Sequence, residues 1–88
     1  QIVKKSEVFM KNMPLVNFHG GESVTVLKIN EPEYTLDRYL SLGIYEGARL
    51  TVFMKSGKNI IVRVGNTKIA FTGRSAANVI CREESNME

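Results

Sequence analysis

The sequence is poor in the residues on which most site chemistry depends. Among 88 residues there is one cysteine, one histidine and no tryptophan. A single cysteine closes no internal disulfide, so nothing implies an oxidising compartment, and a reduced cytoplasmic setting is the expectation. No apolar run approaches the roughly 18–20 residues that cross a bilayer as a helix. No GxxxxGK[ST] phosphate loop is present, and Gly20-Gly21 is too short to replace one. CxxC, HxxxH and HExxH are missing, and no Ser/His/Asp set is read around the one histidine, His19. There is no basic run beyond Lys4-Lys5 and no RNP-type aromatic motif, which argues against nucleic acid as the partner. The length excludes a multidomain enzyme.

What remains describes one small folded domain. Hydrophobic residues make up 43% and charged residues 24%, with a formal net charge of +3. That mixture is too apolar for a disordered chain. A chain of this length hides only about 60–65% of its unfolded surface, so the core is thin but sufficient. The chain opens on Gln1 rather than Met, as expected after processing or a cut. Ile2-Val3 precedes the basic pair, the reverse of signal-peptide order, so that reading is rejected. Residues 1–12 read as an N-terminal tail, 13–82 as the domain and 83–88 as a second tail.

Within the domain the pattern is mostly that of strands. Residues 22–29, ESVTVLKI, are rich in β-branched side chains. Val24 and Val26 share one parity and Leu27 and Ile29 the other, so either both faces are covered or the strand bulges near Leu27. His19 to Glu22 reads as a turn. The one helical stretch is 35–42, TLDRYLSL, with Thr35 as cap and Leu36, Tyr39 and Leu40 as an apolar stripe. Gly43 stands where a left-handed residue ends a helix, and Tyr45 to Ala48 reads as a type II turn with Gly47 at its positive-φ position. Strands follow at 49–55, 59–64 and 67–72, joined by tight turns at 56–58 and 65–66. In the first of these, Leu50, Val52 and Met54 alternate against Thr51, Phe53 and Lys55. One helical turn at 73–78 and a last strand at 79–82 complete the chain. Five short antiparallel strands, with a helix between the first two, predict a small closed sheet.

Three segments resemble the FeoA domain family. The opening is Met13-Pro14-Leu15 followed by Gly21-Glu22-Ser23-Val24. The centre is Arg38-Tyr39-Leu40-Ser41-Leu42-Gly43-Ile44-Tyr45-Glu46-Gly47. The ending is Ile69-Ala70-Phe71, then Ala76, then Val79-Ile80-Cys81. The order and gaps match, although Gly20 and Glu46 stand where the family often has proline, Gly73-Arg74-Ser75 is less acidic than usual, and Cys81 replaces a branched aliphatic. The resemblance implies an SH3-like barrel. It also implies a small cytoplasmic accessory of ferrous iron uptake that contacts FeoB, a membrane permease with a cytosolic guanine-nucleotide-binding domain.

The candidate residues divide by chemistry. Tyr34, Tyr39 and Tyr45 bracket the helix and Leu42 falls out of stripe phase, so either part of this set is left for a partner, or Tyr39 is core and the other two tyrosines cover loops. Arg38, Tyr39, Leu42 and Tyr45 are the candidate partner-binding residues. His19 and Cys81 are the strong soft ligands, but a transition-metal site wants three or four converging donors, so no metal site and no cofactor are expected. Glu31, Glu33 and Asp37 form a small acidic group that solvation explains. Arg38 and Arg74 are conceivable donors of charge to another protein's hydrolysis reaction, but surface arginines are common. Arg63 and Lys68 are expected near each other across a hairpin. No catalytic residue is assigned, and the chain is not expected to be an enzyme, to take a small-molecule substrate or to insert into the membrane. Two rival readings are the C-terminal SH3-like domain of a metal-dependent repressor of the diphtheria-toxin-repressor type, and a generic adaptor for proline-rich peptides. The second lacks the tryptophan such grooves use.

Overall fold

A computed structural model describes residues 12–84. Six strands form one antiparallel sheet: β1 (Asn12–Pro14), β2 (Ser23–Ile29), β3 (Arg49–Ser56), β4 (Asn59–Val64), β5 (Thr67–Thr72) and β6 (Val79–Glu83). Two helices, α1 (Glu33–Ser41) and α2 (Gly73–Ala77), and a 3₁₀ turn over Leu15–Asn17 complete the described chain. The sheet order is β1-β6-β2-β3-β4-β5. The mainly β architecture, with the longer helix between β2 and β3, agrees with the sequence reading.

Closure of the sheet needs correction. The terminal strands β1 and β5 do not pair. Instead α2, which follows β5, packs on the 3₁₀ turn that follows β1. Side-chain packing therefore bridges the gap that hydrogen bonds leave. The sixth strand, β1, spans three residues including Pro14, too few for a period-2 pattern to show. Proline is tolerated there because β1 is an edge strand. The tail expected over residues 1–12 lies outside the described residues except for Asn12, which opens β1. At the other end β6 runs to Glu83, one residue past the expected boundary, and the Glu84 N–H donates to the Ser23 carbonyl at 2.8 Å. Residues 85–88 lie outside the described set.

The core collects the inward residues of the sheet: Val24, Val26, Leu50, Val52, Ile60, Val62, Phe71, Val79 and Cys81, capped by Leu15, Phe18, Tyr39 and Ile44. Two bulges decide which residues join it. On β2, Val26 pairs with Cys81 and Lys28 with Ile80, so Leu27 is the extra residue. That resolves the parity conflict read in the sequence. On β3, Val52 pairs with Val62 and Met54 with Ile61, so Phe53 is extra. The alternation that grouped Met54 with Leu50 and Val52 breaks there, and Phe53 and Met54 are both exposed. An added residue inverts the parity of every later residue in the strand.

The helix also differs from expectation at its start. It begins at Glu33 with Pro32 as N-cap residue, and the Pro32 carbonyl accepts from Thr35 and Leu36 at 2.9 and 3.0 Å. Proline's fixed φ suits a helix entrance. Thr35 is thus not the cap; it lies in the first turn and is buried. The buried stripe is Thr35 and Tyr39 with Leu36 at its margin, while Leu40 is 59% exposed. The helix ends as expected. Gly43 (φ +91°) donates to the Leu40 carbonyl at 3.0 Å, and Ile44 donates to the Tyr39 carbonyl at 2.9 Å. This is the Schellman pairing, and it returns Ile44 to the core beside Tyr39.

Candidate functional site

The four candidate partner residues lie on α1 and just beyond its C-terminal end, and the structure divides them between two clefts. The larger, of about 360 Å³, lies between α1 and β5 and is lined by Arg38, Tyr39, Leu42, Phe71 and Ser75 among others. The smaller, of about 190 Å³, lies on the other side of α1, where Leu36, Leu40 and Tyr45 meet Ile29 and Ile44. Arg38, Tyr39 and Leu42 are brought together; Tyr45 is separated from them by the helix end.

Their exposures assign different roles. Tyr39 is 5% exposed, with its ring edge-on to Phe71 at 5.5 Å between centroids. An edge-to-face pair of this kind is worth roughly 0.5–1.5 kcal/mol beyond the area it buries. Tyr39 therefore shapes the cleft wall and anchors α1, and burial, with Glu31 near, pushes its phenol pKa up. Leu42 and Tyr45 are 42% and 49% exposed and supply apolar surface on either side. Both are held by defined backbone. Leu42 is the C-cap residue of α1, and Tyr45 starts the type II turn closed by the Ala48 N–H on its carbonyl at 2.9 Å. Gly47 (φ +97°) fits that turn, and its N–H donates to the Val26 carbonyl at 2.7 Å, pinning the turn to β2. Side chains displayed on such fixed turns lose little freedom on binding.

The soft ligands sit in unlike surroundings. His19 is exposed in the turn before β2, where its N–H donates to Glu22 Oε1 at 2.6 Å and its Nδ1 lies 3.8 Å from the same oxygen. Cys81 is fully buried, and burial pushes its thiol up to about 12. Glu31 accepts from the Asn78 amide at 3.0 Å. Among the described residues no three of His, Cys, Asp and Glu come together as metal donors. Nor is any described helix long and apolar enough to cross a membrane.

A second surface escaped the residue-by-residue reading. Arg63 and Lys68 are register partners across the β4–β5 hairpin, as the sequence suggested. What the sequence did not suggest is that the Lys68 ammonium reaches across β4 to lie 3.8 Å from the centre of the Phe53 ring. Phe53, Met54, Arg63 and Lys68 thereby share the outer face of three strands. One signal in the sequence points to that face: residues 47–82 contain seven Lys and Arg and no Asp or Glu.

With this geometry established, comparison with known proteins gives consistent results. The FeoA domain family model matches residues 13–83. Among solved structures, the chain is similar to an iron uptake regulatory protein (FeoA). The TM-score is 0.74 at 26% identity, over 84% of this chain and 99% of that one. It is similar in fold to the FeoA protein from Chlorobium tepidum, with a TM-score of 0.77 at 19% identity, over 86% of this chain and 74% of that one. A manganese-dependent transcriptional repressor shares the fold at a TM-score of 0.72 and 19% identity, over 85% of this chain and 43% of the repressor. No curated protein sequence matches.

Proposed function

The chain belongs to the FeoA domain family, and on that premise we propose that it is an accessory of ferrous iron uptake that regulates a FeoB-type permease by contact. The observation that carries this reading is the family match across residues 13–83. The 26% identical iron uptake regulatory protein, matched over 99% of its length, supports it. The partner is the cytosolic, guanine-nucleotide-binding part of the permease, which places this chain in the cytoplasm. Iron is the permease's cargo. The chain acts without catalysis, through the surface around the end of α1.

That surface has the composition of a contact anchor. Leu40, Leu42 and Tyr45 offer apolar area, and Arg38 adds a charge beside the larger cleft. Central apolar and aromatic anchors with a polar rim dominate protein interfaces. The test is a pull-down of the permease's cytosolic part by this chain, with and without guanine nucleotide. Capture by the parent is expected, with Leu42→Ala and Tyr45→Ala weakening capture at least about fivefold while remaining folded, a loss of roughly 1 kcal/mol or more each. No capture in either nucleotide state contradicts the proposal.

A second reading rests on the repressor, which shares the fold over less than half of its own length. A domain of this kind can follow a DNA-binding segment in a longer protein. The open reading frame upstream of Gln1 distinguishes the two.

A further inference from the structure

We propose that the outer face of β3, β4 and β5 docks this chain on an anionic lipid surface. Three observations carry the inference. Charge is polarised along the sequence: residues 47–82 hold every one of their seven charged side chains as Lys or Arg, while residues 12–46 hold five acids against two bases. The fold gathers part of the basic set on one face. Strand register puts Arg63 beside Lys68 and opposite Thr51. Lys58 stands at the tip of the β3–β4 hairpin, between the paired residues Ser56 and Asn59.

The bulge at Phe53 supplies the other half of the chemistry. It turns two consecutive large apolar side chains, Phe53 and Met54, into solvent in the middle of this basic face. Adjacent apolar side chains on one exposed face offer a contiguous patch to a partner, unlike apolar residues scattered singly. Lys68 lies over the Phe53 ring, so cation and aromatic body form one unit. Amphipathic units of this kind suit the boundary of a bilayer, with the ring toward the acyl chains and the ammonium at headgroup level.

Other polyanions fit this face less well. Single-stranded nucleic acid is held by a succession of aromatic platforms. Here one aromatic side chain stands on the face, and the Lys68 ammonium already covers its ring. An acidic peptide is ordinarily seated in a groove, and neither cleft described above is lined by Phe53, Met54, Arg63 or Lys68. A broad sheet face with apolar residues at its centre and no acid among its charges complements a plane of anionic headgroups. The surface is separate from the end of α1, so a chain adsorbed through it keeps its permease-facing residues available.

The experiment is co-sedimentation of the full chain with vesicles of pure phosphatidylcholine and with vesicles containing phosphatidylglycerol, at low and high salt. Vesicles carry no protein, so the outcome is independent of the permease reading. Binding is expected only to phosphatidylglycerol vesicles and is expected to fall at least about tenfold at high salt. Lys68→Glu and Phe53→Ser are each expected to weaken binding by about fivefold or more. Lys28→Glu, an equal charge change at the one exposed position of β2, is expected to cost less than half as much. Far-ultraviolet circular dichroism checks that all three stay folded. Equal binding to both vesicle types contradicts the proposal, as does equal loss in Lys28→Glu and Lys68→Glu. Tighter binding to a DNA oligonucleotide or to an acidic peptide than to the charged vesicles also contradicts it.

Discussion

At the scale of single residues, two glycines separate backbone strain from crowding. Gly43 and Gly47 both hold positive φ, at +91° and +97°. A Cβ on Gly47 meets open space, whereas one on Gly43 comes within 3.0 Å of Val64 Cγ1. Gly47→Ala is therefore expected to lose only the backbone part, about 1–2 kcal/mol. Gly43→Ala is expected to lose more, and the difference should appear in urea denaturation midpoints. Cys81 gives a second prediction. The thiolate is the reactive form, and burial keeps the group protonated at neutral pH. Native protein should resist alkylation at pH 8 and react once unfolded; rapid native labelling would contradict the buried placement. Gly43 and Gly47 were legible in the sequence because their jobs are local. Tyr39 was legible as apolar, and as core on one of two readings; what the sequence did not show is its ring partner, since Phe71 arrives from β5, thirty-two positions away.

At the scale of elements, the ends of β2, β3 and β6 are tied by one carboxylate. Glu84 accepts from the Thr25 hydroxyl and from Arg49 Nη2, the latter at 3.1 Å. The Thr25 hydrogen bond, opposed by partial burial and aided by Arg49 and Arg82, holds its carboxyl below the usual carboxylate range. A depressed native pKa contributes stability that is present above the unfolded value of about 4.3 and disappears as pH falls through the native value. Glu84→Gln should thus be less stable than the parent at pH 7, by less than about 1 kcal/mol because Arg49 is largely exposed. The two should converge in acid, as thermal melts against pH will show. Elements as such were well marked in the sequence. The hairpins and the helix terminator followed from local turn chemistry, and parity offered the Leu27 bulge as one of two alternatives, which the pairing with β6 decides. The Phe53 bulge did not, because its flanking residues alternate cleanly and only the pairing with β4 reveals the extra residue. Nor did the helix start. Tyr34 gives no apolar periodicity to the first turn, so Pro32 and Glu33 read as loop.

At the scale of the whole molecule, the chain is a small β scaffold that displays apolar side chains at two places on its outside. The end of α1 presents Leu40, Leu42 and Tyr45, and the far strands present Phe53 and Met54 among bases. The family and the general fold were legible because the matching segments combine a turn and a helix end, where backbone geometry restricts residue choice, with short apolar pieces of β5 and β6. Sheet closure was not legible, since whether β1 meets β5 depends on how α2 packs on the 3₁₀ turn. The basic face was countable in the sequence, but strand alternation scatters its members until the hairpins assemble. The most direct measurement is uptake of radiolabelled Fe(II) by cells that keep their FeoB-type permease but lack this chain. Uptake should fall, recover with the parent chain, and fail to recover with folded Leu42→Ala/Tyr45→Ala. Uptake unchanged by loss of the chain, or restored equally by that double variant, would contradict a regulator that works through the surface at the end of α1.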